Sequence, residues 1–174
     1  MHRQINSNGF TLIELLVTIS IAGVLAGLTA PSFSDAIKNN RMTTQFNELL
    51  SFLSYARSEA VKRNISVTVC KSNTGNSCGG EWHNGWIVFV DNDNDGTVDA
   101  TDEVIRKHKA LTADTTLKFS RNRVTYRNEG LAIGFTGKFI LCDSRGDDDR
   151  KALVVSNTGR VRQATSSDSL ASCT

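Results

Sequence analysis

The chain has 174 residues, 39% of them hydrophobic and 22% charged, with a formal net charge of +2. That suffices for one ordinary domain with an extra element and excludes a wholly disordered chain. One proline and 13 glycines exclude collagen-like and proline-rich chains, and the small net charge excludes a histone-like polycation.

In chain order, residues 1–9 (MHRQINSNG) are polar, with one Arg and no acid. Residues 10–30 (FTLIELLVTISIAGVLAGLTA) carry a single charge, Glu14. Their length suits a membrane-spanning helix, which needs about 20 apolar residues. A secretory signal peptide is the alternative, but its apolar region is shorter, about 7–15 residues, and a small-residue cleavage site would have to lie among residues 26–30. An acid inside a membrane span costs about 2.5–3.5 kcal/mol and calls for a partner. Residues 10–30 contain no Lys, Arg or His. The partner is therefore another chain or a free amine made by processing. Cleavage after Gly9 would place the amino group of Phe10 four residues before Glu14. The plainer reading of Glu14 is an acid tolerated near the membrane surface.

The run Gly9-Phe10-Thr11-Leu12-Ile13-Glu14-Leu15-Leu16 resembles the processing motif of type IV pilins and pseudopilins. The resemblance implies that prepilin peptidase cuts after Gly9 and that Phe10 becomes a methylated N-terminus. It implies a helix that first anchors the subunit in the inner membrane and later packs into a filament of other pilin subunits. It makes Glu14 the assembly acid, paired with the N-terminal amine of a neighbouring subunit.

Pro31 follows the apolar run, and its ring predicts a kink or break nearby. The resemblance favours a kinked helix that continues. Phe33, Ile37, Met42, Phe46, Leu49, Leu50, Leu53, Ala56, Ala60 and Val61 recur at mostly helical spacing. The expected organisation is a leader at 1–9, a transmembrane and filament-core helix at 10–30, an amphipathic continuation at 31–63 packed on a domain, and a disulfide-bearing β-rich domain at 64–174. A helix over 11–63 would be roughly 80 Å long. The segments ARSEAVKRN (56–64), ISVTVC (65–70) and GWIVFVD (85–91) resemble minor pilins of the FimT/GspH kind.

After Asn64 the apolar period shortens. Strands are predicted at 65–70, 86–90, 104–109, 116–120, 123–127, 132–135, 139–142, 152–156 and 160–163, separated by glycine-bearing turns. Short strands with such turns mean antiparallel sheets, so the fold class is α+β. Cys70, Cys78, Cys142 and Cys173 are an even set beyond a membrane anchor, which suggests disulfides in an oxidising compartment. Three pairings exist; Cys70–Cys78 closes a short glycine-bearing loop and Cys142–Cys173 staples the tail to a strand, and this pairing is the one expected. The Cys and His spacing does not suit zinc, and no nucleophile–base set or phosphate loop appears, so neither an enzyme, a cofactor nor a metal is expected.

One motif leaves two readings open. Asp91-Asn92-Asp93-Asn94-Asp95-Gly96-Thr97-Val98-Asp99-Ala100-Thr101-Asp102 has the ligand spacing of a calcium loop, with Asp102 where a bidentate Glu is usual. It also reads as an acidic hairpin loop whose Asp and Asn suit turns.

Charge is segregated. Residues 64–103 carry one Lys against seven acids, and residues 104–162 carry thirteen Lys or Arg against six acids. The second stretch suggests a polyanion or a complementary subunit. Within it, Gly159-Arg160-Val161-Arg162 would place two arginines on one strand face, about 6.6–6.8 Å apart, close to neighbouring phosphates. Arg150 and Lys151 lie near them in sequence. The motif resembles the GRxR tail of FimT-type pilins that bind DNA in natural transformation. The implied function is a minor pilin, in the inner membrane with a periplasmic domain and then in a pilus, contacting DNA phosphate through Arg160, Arg162, Lys151 and Arg150. The alternative is a structural minor pilin or type II secretion pseudopilin in a tip or priming complex.

Overall fold

The structure, a computed structural model, describes residues 9–112 and 114–173, and the helix side chains outside 26–32. The leader expected at 1–9 therefore lies outside the described residues except for Gly9. The chain divides into two compact units, Met1–Asn40 and Arg41–Thr174.

Helix α1 spans Leu12–Arg63 and is assigned without interruption through Pro31. Its start is capped by Thr11, whose Oγ1 accepts the backbone N–H of Glu14, three residues on, at 3.3 Å. Thr18 and Ser20 donate their hydroxyls to Leu15 O and Leu16 O, so these two polar groups are satisfied by their own helix. Among the described residues no helix is long and apolar enough to cross a membrane. The span expected at 10–30 runs into residues 26–30, whose side chains are outside the description.

In the second unit, Met42, Phe46, Leu49, Leu53, Ala56 and Ala60 are buried at spacings of three and four, one stripe of a helix. The stripe begins later than its sequence pattern. Phe33 is 70% and Ile37 46% exposed, and burial begins at Met42. Val61 also stands outside it. The helix ends at Asn64, whose φ of 55° lets the Ile65 N–H turn back to Ala60 O. Arg63 ties this end down, 2.7 Å from Glu59 and 2.6 Å from Glu103.

Two antiparallel sheets follow. β1 (Val67–Lys71), β2 (Trp86–Val90), β3 (Glu103–His108) and β5 (Arg123–Tyr126) form one, in the order β3-β2-β1-β5. β4 (Thr116–Lys118), β6 (Gly137–Cys142), β7 (Lys151–Val155) and β8 (Val161–Gln163) form the other, in the order β4-β6-β7-β8. A register shift at Val88/Phe89 bends the β2–β3 pair. A 3-10 turn at Trp82–Asn84, absent from the sequence reading, sets Trp82 edge-on to Phe139 and lets its indole N–H donate to Arg121 O. The strand expected at 132–135 is a turn instead: Ala132 N–H donates to Asn157 O and Phe135 N–H returns to Ala132 O. An apolar run that short is ambiguous until its hydrogen bonds are known.

The helix stripe meets the inner faces of both sheets in one core, from Met42 to Val155. The outer faces are covered by loops: Cys70, Ile87 and Phe89 lie under the Cys78 and Val98 segments, and Ile140, Cys142 and Ala152 lie under Leu170 and Cys173. Disulfides Cys70–Cys78 and Cys142–Cys173 fasten these two covers. The second unit thus holds its whole buried core and both disulfides, so it has what it needs to fold without residues 1–40.

Candidate functional site

Two places carry the candidate chemistry, and each is built differently. The first is the start of the chain. Every described side chain from residue 9 to residue 25 is exposed, with Phe10 80% and Leu12 78% accessible. A helix that is apolar all round is stable only when something apolar surrounds it. Glu14 sits in the first turn, where the positive end of the helix favours an acid. Among the described residues its carboxylate has no hydrogen-bond or ion-pair partner. The Thr11 cap, which takes the Glu14 backbone N–H, is a local feature that the sequence reading missed.

The second place is the basic region, and the structure does not gather it as expected. Arg162 lies on β8 opposite Val154 and makes two bonds to Asp168, Nη1 to Oδ2 at 2.7 Å and Nη2 to Oδ1 at 3.0 Å. That guanidinium, together with the Thr165 N–H, holds the Asp168 carboxyl well below the usual carboxylate range. Arg150 pairs with Asp147 at 3.1 Å. Lys151 is opposite Leu141, which belongs to the helix-facing core, so strand alternation points it inward, beside Gln45 and Phe46. It is on the other sheet face from Arg162. Arg145 is spent on Asp143 and Asp149. Lys118 and Lys138 donate to the backbone carbonyls of Cys173 and Ser169, and Arg121 donates to Thr136 O.

Arg160 differs from these. It is exposed, and among the described residues its guanidinium has no partner. Gly159 sets it there: with φ at 72°, it turns the chain into β8 where an added Cβ would collide with Gly130 O. The turn is fastened from the helix side by Arg57, whose Nε donates to Gly130 O at 3.0 Å and Nη2 to Thr158 O at 3.1 Å. Sequence reasoning singled out Gly159 but could not see Arg57, which is a hundred residues away.

The acidic loop is largely occupied with itself. Asp91 is buried and accepts from Thr68 Oγ1 at 2.9 Å and from the Gly96 N–H; burial pushes its carboxyl above the usual range. Asp93, Asp95, Asp99 and Asp102 each accept a backbone N–H of the same loop. Carboxylate oxygens of Asp91, Asp93 and Asp95, and of Asp93, Asp99 and Asp102, lie within 4.8 Å of one another. Turn-forming hydrogen bonds account for these positions.

The helix and two sheets match known proteins. A family model described as Type II transport protein GspH matches residues 45–159. The chain belongs to the GspH family. A second model, the prokaryotic N-terminal methylation motif, matches residues 5–30 of this GspH-family chain. Fimbrial protein EcpC of Eikenella corrodens is 44% identical over 39 residues, 22% of this chain and 26% of that protein. Fimbrial protein Q of Moraxella bovis is 44% identical over 41 residues, 24% of this chain and 26% of that protein. The chain thus spans about a quarter of the length of the curated relatives it matches. The type IV minor pilin FimU of Pseudomonas aeruginosa superposes with a TM-score of 0.62 at 25% identity, covering 79% of this chain and 98% of that one. The minor pseudopilin EpsH of the type 2 secretion system of Vibrio cholerae, at 10% identity and a TM-score of 0.51 over 74% of this chain and 99% of that one, shares the fold. Family and fold are those of FimT/GspH-type pilins and pseudopilins.

Proposed function

We propose that this GspH-family chain is a minor pilin subunit, cleaved by prepilin peptidase between Gly9 and Phe10, held in the inner membrane by residues 10–30, and then built into a pilus or pseudopilus with other pilin subunits. The observation that carries this reading is the exposed apolar start of α1, residues 12–25, capped by Thr11 and covered by the methylation-motif match. Each Leu, Ile or Phe of that run gains about 1.5–3 kcal/mol when fully covered, so lipid first and neighbouring helices later are the natural surroundings. In that setting the unpaired Glu14 carboxylate meets the amine of Phe10 on a neighbouring subunit. The two disulfides agree with a periplasmic domain. Mass spectrometry of the mature protein should begin at methylated Phe10. Glu14→Ala should enter the membrane as well as wild type and fail to enter filaments. A mature N-terminus near Pro31 would instead mark the apolar run as a removed signal peptide.

A second reading, contact with DNA phosphate, is favoured by one observation: Arg160 is exposed and has no partner among the described residues. Arg162, Arg150 and Lys151 lend it less than their sequence positions promised. Duplex binding by the domain should weaken as salt rises. Arg160→Gln should flatten the salt slope by about 1, the loss of one phosphate contact. Arg162→Gln should leave the slope nearly unchanged; an equal effect of both would restore the paired-arginine reading.

A further inference from the structure

A groove of about 560 Å³ runs between the last turns of α1 and the β7–β8 turn. Arg57, Lys62 and Arg160 converge on it, with the hydroxyl-bearing Ser54 and Ser58 along the helix wall. Arg57 is locked by its bonds to Gly130 O and Thr158 O, so its charge is held in place in advance. Lys62 stands 3.5 Å from Glu59, but that acid is shared with Arg63, and Lys62 itself is largely exposed. Arg160 closes the groove with no partner among the described residues. Val61, 53% exposed, and Val161 supply an apolar patch on the same walls.

We propose that this groove docks an acidic segment of a neighbouring filament subunit, with an Asp or Glu carboxylate entering between Arg160, Arg57 and Lys62 and an apolar neighbour resting on Val61. The proposal rests on the reading of the chain as a filament subunit. Charge complementarity selects the occupant. Three cations line one concavity, and the chain's own nearby acids, Glu59 and Glu103, are held at short range by Arg63. A phosphate backbone would want a row of free cations on an open face. Here the other arginines of that row are spent, Arg162 on Asp168 and Arg150 on Asp147. The exposed Val61 has no use for phosphate but suits an aliphatic side chain.

The test uses the folded unit, residues 41–174, and amide chemical-shift mapping at low salt. The probes are a capped peptide of alternating glutamate and valine, the same peptide with glutamine for glutamate, and a short duplex DNA. The glutamate peptide should shift amides of residues 54–62 and 158–161. Arg160→Glu should weaken it by at least about tenfold. Arg160→Gln should weaken it less, and Arg162→Gln should not weaken it at all. Shifts caused only by DNA, shifts spread over the whole basic stretch, or an equal response to the glutamine peptide would each overturn the proposal. In the full chain, Arg160→Glu should spare cleavage at Gly9 and membrane retention while reducing filament incorporation. If Glu14→Ala blocks incorporation and Arg160→Glu does not, the filament reading stands and the groove falls. If both variants enter filaments as wild type does, the Glu14 pairing and the groove both fall; if wild type itself does not enter filaments, the filament reading fails.

Discussion

Leu15 and Leu53 lie on the same helix and have the same side chain, yet one is exposed and the other fully buried. The contrast extends to the two units. In residues 9–25 the apolar groups face outward and the one acid, Glu14, has no side-chain partner among the described residues. In residues 41–173 most apolar groups are covered, Val61 and Ile133 apart, and most charges are tied to a carbonyl or an opposite charge. Hydropathy states what a side chain gains from being covered; only the rest of the fold supplies the cover. The first unit is thus written for surroundings outside the chain, the second for itself.

Replacing Leu53 and Leu15 separately gives the largest separation. Leu53→Ala should cost about 2–5 kcal/mol in denaturant unfolding of the folded unit, because it opens a cavity in a closed core. Leu15→Ala in the full chain in detergent should change stability by less than about 0.5 kcal/mol and act instead on filament incorporation. A comparable loss at both sites would mean that the first unit has a core of its own.

The covers can be removed next. The Cys142–Cys173 bridge spans 31 residues and the Cys70–Cys78 bridge 8. By loop-closure entropy, Cys142→Ser with Cys173→Ser should lose about 3.5 kcal/mol and the shorter pair about 2.5 kcal/mol. Urea midpoints decide the order. Releasing the tail should also uncover Ile140 and Ala152 and free Arg162 from Asp168.

Gly159→Ala should cost about 1–3 kcal/mol, from left-handed backbone strain together with the clash against Gly130 O. Thermal unfolding reads it, and the loss should be accompanied by shifts at Arg57. An unaffected melting curve would show that the turn does not depend on that close approach.

The smallest effect is on pH dependence. Asp168 is held low by Arg162 and Glu59 by Arg63. A carboxyl whose native pKa lies below its unfolded value contributes stability above the usual carboxylate range and loses it as pH falls through the native value. Asp91 has the opposite sign: burial raises it, so its ionised form costs stability that is recovered as pH falls through the raised value. Melting temperature should therefore change little on mild acidification and fall below about pH 4. Asp168→Asn should sit below wild type at neutral pH and converge with it in acid. A constant offset would remove the ion pair as the cause.

Some of this could be read along the chain. β2 was legible because a β-branched and aromatic run bounded by Gly85 and Asp91 has one reading, and both disulfides join a strand to a glycine-bearing loop or tail. The start of burial at Met42, the turn at 132–135 and the 3-10 turn at Trp82 were not legible, since each depends on partners far away in sequence. The basic site was the least legible part. Sequence proximity placed Lys151 and Arg150 beside Arg160 and Arg162, but strand alternation turned Lys151 inward and Asp147 and Asp168 claimed the two arginines.

Local chemistry alone therefore determined that this protein has a long helix with an apolar start, antiparallel strands and an oxidised pair of loops, because helical period, strand alternation and turn residues act over a few positions. Tertiary structure alone decided which cations remain free. An ion pair forms wherever folding brings a carboxylate within reach, and Asp168 reaches Arg162 while nothing among the described residues reaches Arg160. The convergence of Arg57, Lys62 and Arg160 on one groove joins residues a hundred positions apart, and only the packing of α1 against the β7–β8 turn makes them neighbours.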